Sequence, residues 1–147
     1  MKNKQDKHKK QSVRKKAGVV AYQQTENGQE PLILLVTARK VPGTWVFPVG
    51  GIDPGETPEI AAARECEEES GYSVEIGRQL TPIKAVESDT GKKTDHFIFF
   101  LATVSAEKET WETDRTKAWV PLSQVKDRLP SFFHGVAEEA ARCLVGR

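Results

Sequence analysis

The run GGIDPGETPEIAAARECEEESGY, Gly50 to Tyr72, decides how the rest of the chain is read. Thr57 followed by Pro58 supplies an N-cap hydroxyl and then a proline at the first helical position, where its missing N–H costs nothing. Glu59 puts a negative charge in the first turn, where the helix dipole favours it. Gly71 stands where a left-handed residue ends a helix, so the spacing predicts a helix over 58–70. Ala62 and Cys66, four apart, face inward. Glu65, Glu68 and Glu69 take positions i, i+3 and i+4 and share another face. Two such carboxylates about 6 Å apart at an effective dielectric of ~20 repel by roughly 3 kcal/mol, so the cluster calls for a cation. Hard oxygens with neither His nor Cys among them suit Mg²⁺. A Glu-rich helix face is by itself ordinary solvated surface, and Arg64 would then be an exposed ion-pair partner worth under about 1 kcal/mol. The context favours a site instead: a glycine-rich loop leads directly into the helix, Glu56 adds a carboxylate, and the exposed backbone can cradle an anion.

Around this segment lie short apolar runs separated by turn signals. Ala17–Gln23 and Leu32–Ala38 read as two strands with Asn27-Gly28 between them. Trp45–Phe47, Tyr72–Ile76, parts of Leu80–Val86, His96–Val104 and Ala118–Val120 read as further strands, while Leu122–Leu129 and Phe132–Leu144 have helical spacing. The residues from Pro48 to Gly55 read as a loop because of their glycines and prolines. Strands, one helix, more strands and then terminal helices predict a single α+β sandwich.

The totals agree with one domain. The chain has 147 residues, 37% of them hydrophobic, which is enough for one core but includes no run long enough to span a bilayer. Its net charge of +1 hides an asymmetry. Of 22 basic and 21 acidic residues, the first 16 positions hold eight and one, leaving 14 and 20 for the rest, so a segment of +7 precedes a body of −6. Residues 1–16 are expected to form a mobile basic tail, because so little apolar surface cannot offset ordering entropy, and residues 17–147 the folded domain. Cys66 and Cys143 are the only cysteines, unpaired in spacing, and fit a reducing, cytoplasmic setting. The apolar stretch after the basic segment is too short for a signal peptide, so secretion is not expected.

Gly50, five residues, Glu56, seven residues, and then Arg64-Glu65-Cys66-Glu67-Glu68-Glu69-Ser70-Gly71-Tyr72 meet every fixed position of the Nudix box. Only the two bulky apolar positions depart mildly, holding Cys66 and Tyr72. The chain therefore resembles the Nudix hydrolases. That resemblance implies an α/β/α sandwich, a mixed β-sheet flanked by helices. It implies Glu65, Glu68 and Glu69, with Glu56 more peripheral, as ligands of Mg²⁺ or Mn²⁺, and Arg64 as the residue orienting a box carboxylate. Glu69 or Glu68 would be the general base, and Gly50 and Gly51 would let backbone approach metal and phosphates. The implied reaction is hydrolysis of a diphosphate joined to another group, by water activated on the metal.

The box does not choose the substrate. The downstream tyrosine and proline markers of dinucleoside polyphosphate and ADP-ribose hydrolases have no counterpart at Asp89 and Glu87. Arg14-Lys15-Lys16-Ala17, Arg39 to Trp45, Lys92-Lys93, Trp111-Glu112 and Lys117-Ala118-Trp119 are similar to the diphosphoinositol polyphosphate phosphohydrolases, which also cleave diadenosine polyphosphates. Val49, Thr94 and Asp95 depart from that pattern, the last two replacing basic residues. Lys15, Lys16, Arg39, Lys40, Lys93 and Lys117 are the candidate substrate contacts, each of which could equally be solvated surface. Trp45, Trp111 and Trp119 read as packing aromatics, and His96 and His134 lack a partner at metal spacing. The expected partner is a small polyphosphorylated molecule, with a monomer as the default and neither membrane nor nucleic acid favoured. The alternatives are a hydrolase of another nucleoside diphosphate derivative (a nucleoside triphosphate, ADP-ribose or capped RNA) and a non-catalytic module holding a polyanion through the basic tail.

Overall fold

The computed structural model describes residues 12–87, 93–109, 111 and 114–145. Among the described residues, eight strands are arranged in one mixed sheet: β1 (Ser12–Gln23), β2 (Leu32–Thr37), β3 (Trp45–Val46), β4 (Val49–Gly51), β5 (Tyr72–Gln79), β6 (Ile83–Glu87), β7 (Lys93–Glu107) and β8 (Lys117–Pro121). Three helices accompany them: α1 (Pro58–Ser70), α2 (Leu122–Arg128) and, after a 3₁₀ turn, α3 (His134–Val145). The sheet is built on β1 and β7, which run parallel from Ser12↔Lys93 to Tyr22↔Thr103. The outer edge of β7 carries β5 and β6, and the other edge of β1 carries β2 and β4, all antiparallel.

Alternation along these strands divides the core in two. Ala17, Val19, Ala21, Leu34, Phe100 and Ala102 face α1 and bury its Ala61, Ala62 and Cys66. Val20, Ile33, Leu35, Phe97, Phe99 and Leu101 face α2 and α3, with Val125, Phe133 and Ala140 packed on them. Phe133 meets Phe97 and Phe99 edge to face, with ring centroids 5.0 and 5.2 Å apart. Helices on both faces of a mixed sheet make the expected α/β/α sandwich.

Two differences from the sequence reading bear on the site. The first strand begins at Ser12, five residues ahead of the expected start at Ala17, because Ser12–Lys16 pair with the first residues of β7 and the charges of Arg14 and Lys16 are met by Asp95. Residues 1–11, the remainder of the expected tail, lie outside the described residues, as do Lys92 and Glu112. Val49–Gly51, read as loop, forms β4 against β1, with Lys16↔Gly51, Ala17↔Gly50 and Gly18↔Val49 as partners. Gly18 makes this possible. A Cβ there would collide with the Pro48 carbonyl and with Phe99, while Val19 N–H donates to that carbonyl at 3.1 Å.

Candidate active site

The site is assembled along α1, whose ends are those the sequence announces. Thr57 Oγ1 accepts from Ile60 N–H at 3.2 Å, Pro58 opens the helix, and Gly71 closes it at φ 79° with its N–H donating to the Glu67 carbonyl. Cys66 anchors the buried face, and burial pushes its thiol up to about 12.

Arg64 is the hub. Its Nε donates to Glu56 Oε2 at 2.7 Å and its Nη2 to Glu56 Oε1 at 2.9 Å, a bidentate pair. Nη1 reaches Glu65 Oε2 at 3.2 Å and both oxygens of Glu68 at 3.4 Å, and Nη2 also donates to the Gly51 carbonyl at 3.0 Å. One guanidinium thus fixes the loop, the start of the helix face and β4 relative to one another. Arg64, and then the Asp53 N–H, hold the Glu56 carboxyl down at about 2. Glu56 was expected among the metal ligands. Both of its oxygens accept hydrogen bonds, Oε2 from Arg64 and Oε1 from Arg64 and the Asp53 N–H, so it anchors the arginine.

Glu69 lies deepest, with a side chain only 3% exposed, whereas that of Glu68 is 48% exposed. Glu69 Oε1 accepts from Val49 N–H at 3.2 Å, so β4 brings a backbone donor to the carboxylate. Burial first, and the neighbouring Glu65 carboxylate after it, push the Glu69 carboxyl up to about 9, against the pull of Arg115 and the Val49 N–H. Glu65 sits directly over Gly50, where any Cβ would overlap its carboxylate. That steric demand explains why position 50 holds glycine.

Among the described residues, no three acidic, His or Cys side chains are gathered into an ion-holding cluster as they stand. The donor chemistry nevertheless fits a hard divalent cation. Glu65, Glu68 and Glu69 offer only carboxylate oxygens on one helix face, and the Glu65–Glu69 pair carries a repulsion that a cation would relieve.

Arg115 was missed by the sequence reading. Its Nη2 lies 3.7 Å from Glu69 Oε2, and its Nη1 donates to the Thr37 carbonyl at 2.9 Å, so the β7–β8 connection supplies the countercharge to the buried carboxylate. The one signal was indirect: the Glu cluster demanded a cation, without marking Arg115 as the residue that supplies it.

The basic candidates do not form one group. Lys117 lies at the far end of α1: its Nζ donates to the Ser70 carbonyl at 2.6 Å and to Glu107 at 3.2 Å and lies 4.2 and 4.5 Å from the ring centroids of Tyr72 and Trp111. It caps the C-terminal end of α1. Trp119, whose Nε1 donates to Tyr72 Oη at 3.1 Å, completes that aromatic packing. Lys15 is exposed and its carbonyl accepts from Ile52 N–H, while Lys16 reaches Asp95 at 3.6 Å. Arg39 pairs with Asp114 at 2.9 Å, and Lys40 and Lys93 are exposed.

A model of the NUDIX domain matches residues 14–139. Diphosphoinositol polyphosphate phosphohydrolase 3-alpha of Mus musculus is 34% identical over 98 residues, 64% of this chain and 57% of that protein. Diphosphoinositol polyphosphate phosphohydrolase 2 of Rattus norvegicus is 37% identical over 84 residues, 57% of this chain and 44% of that protein. The matches thus span about half the length of these curated relatives. The crystal structure of a C. elegans Ap4A hydrolase binary complex superposes with a TM-score of 0.72 at 24% identity, covering 92% of this chain and all of that one, and so shares the fold. With a family match that runs through β1, the Arg64 hub and into α3, the chain belongs to the Nudix hydrolase family.

Proposed function

We propose that the chain is a divalent-metal-dependent pyrophosphohydrolase cleaving a diphosphate linkage in a polyphosphorylated small molecule, a diphosphoinositol polyphosphate or a dinucleoside polyphosphate. The observation that carries this reading is the Arg64 hub, which holds the carboxylate face of α1 against the Gly50–Gly51 backbone. The printed names of the curated relatives support the substrate class.

In this reading Glu65, Glu68 and Glu69 hold Mg²⁺ or Mn²⁺, Glu56 acts through Arg64, and Gly50 and Gly51 leave room for phosphate oxygens. When bound, the divalent cation supplies charge neutralisation at the phosphoryl oxygens and acidifies water. Glu68, half-exposed, takes the proton of the attacking water at a carboxylate oxygen, and the buried Glu69 is kept in place by Val49 N–H and Arg115. Lys15, Arg39, Lys40 and Lys93 attract and orient the polyanion at the rim.

A side-by-side rate comparison of diphosphoinositol pentakisphosphate, diadenosine polyphosphates, ADP-ribose, nucleoside triphosphates and capped RNA, with Mg²⁺ or Mn²⁺, tests it. Glu68→Gln should lower kcat by at least about 100-fold, the scale of a general base, while the fold is kept. No product from any member of the panel would overturn the reading and leave a polyanion-binding module. A specific observation favours a second substrate class: two of the basic residues of β1 are already engaged by Asp95, which suits a less phosphorylated nucleoside diphosphate derivative.

A further inference from the structure

Three polar or charged residues are buried among the described residues, and Asp95 alone of them lies outside α1. It sits in β7 directly opposite Arg14 in the parallel ladder. Arg14 Nε donates to Asp95 Oδ1 at 2.7 Å and Arg14 Nη2 to Oδ2 at 3.1 Å, and Lys16 Nζ stands 3.6 Å from Oδ2. The side chains of Arg14 and Lys16 remain 36% and 27% exposed, whereas that of Asp95 is 11% exposed. Solvent, and therefore an anion, can reach the two cations but hardly the carboxylate between them.

Its two cations stand on β1, the strand that borders Gly50 and Gly51. Lys16 is the ladder partner of Gly51, and Ala17 that of Gly50, whose missing Cβ accommodates Glu65. Arg14 and Lys16 alternate with Ala17 and so point to the face of the sheet opposite α1, beside Phe97, and Arg14 lies roughly 10 Å along the strand from Ala17, within the span of a polyphosphate that passes around the edge of β1. A phosphate that extends that far shares Arg14 and Lys16 with a carboxylate that repels it. Stripping the bidentate arginine from Asp95 would leave the buried carboxylate only Lys16, at 3.6 Å, to balance it.

We propose that Asp95 is a specificity-determining residue that limits the phosphate content of the substrate by committing Arg14 and Lys16 within the protein. The inference rests on the reading of the site as a polyphosphate site. Its consequence is graded: the penalty grows with each further phosphate that extends beyond the Gly50–Gly51 cradle toward β1.

The test is calorimetric binding of inorganic pyrophosphate, tripolyphosphate and inositol hexakisphosphate to the full chain at low and high salt, which requires no turnover. Asp95→Asn keeps the shape and an acceptor for Arg14 while removing the charge. It should tighten inositol hexakisphosphate by about tenfold at low salt and pyrophosphate by less than about twofold, with a steeper salt dependence. Arg14→Gln should change little in the parent chain but cancel the gain in the Asp95→Asn background. An equal change for all three anions, no change, weaker binding by a folded Asp95→Asn chain, or no binding by any variant would overturn the proposal. Should Asp95→Asn fail to fold, Arg14→Gln alone decides, because a loss of more than about tenfold in the parent chain would mean that Arg14 is already available to the ligand. If the anions bind in the graded order and no diphosphate is cleaved, the hydrolase reading falls and the role of Asp95 stands.

Discussion

Arg64 and Glu56 are bonded through the Nε–Nη2 edge of the guanidinium, while Glu65, Glu68 and the Gly51 carbonyl also lean on the same cation. The pair therefore positions the loop as much as it neutralises charge, and lysine, with one point charge, could not replace the fork. Because Glu56 is held well below its ordinary range, its contribution to stability is complete above pH 4.5 and is lost as pH falls toward about 2. Between those values the unfolded chain binds more protons than the folded one, so stability rises with pH. Glu56→Gln should accordingly show a urea midpoint that falls behind the parent chain progressively from about pH 2 to 4.5 and then stays behind by a constant interval. A constant interval across the whole range would mean that the carboxylate charge has no part in the anchor.

At the scale of elements, α1 is bounded as its sequence dictates, because Thr57, Pro58 and Gly71 act through local geometry alone. What lies at its C-terminal end was not legible. Lys117 arrives from β8, and its role as a cap for the Ser70 carbonyl depends on a contact 47 residues away in sequence. Lys117→Met, which keeps the stem and removes the charge, should cost about 2 kcal/mol of stability, as expected for a lost charge-assisted hydrogen bond, with KM unchanged. A raised KM at unchanged stability would return the lysine to the substrate. The same distinction explains β4 and Arg115. Gly50 and Gly51 read as loop because glycine is poor in strands, yet both lie in β4, where the carboxylate of Glu65 demands glycine at 50 and the close approach of the Pro48 carbonyl and Phe99 demands it at 18 on the partner strand. Arg115 lies in a short polar connection where nothing local marks it, and only the tertiary approach to Glu69 gives it a function. Likewise α2 starts without a capping side chain of its own. Glu30, from the turn before β2, accepts from Ser123 N–H at 2.6 Å instead.

For the whole molecule, the charge asymmetry divides differently from the way the totals suggest. Part of the body's negative charge is the carboxylate face of α1, and part of the N-terminal positive charge is not tail at all but strand, with Arg14 and Lys16 paired across the sheet to Asp95. Two truncations separate these roles. Removing residues 1–10 should leave the Tm unchanged and alter mainly the salt dependence of substrate capture. Removing residues 1–16 takes away five ladder positions and the buried ion pair, which leaves Asp95 unpaired, and should lower stability by about 3 kcal/mol or more by thermal unfolding. Equal Tm values for the two would show that Ser12–Lys16 contribute nothing to the fold.

The parallel ladder at the centre of the sheet also sets the order in which the molecule can form. Each of its eleven pairs, from Ser12↔Lys93 to Tyr22↔Thr103, joins residues 81 positions apart. The hairpin around Asn27-Gly28 and the caps of α1 need only their neighbours, but β1 cannot find β7 until the chain between them has been made and has begun to condense. On the ribosome, the apolar Val19-Val20-Ala21-Tyr22 run therefore emerges well before β7 and waits through the synthesis of the whole α1 segment for its permanent neighbour.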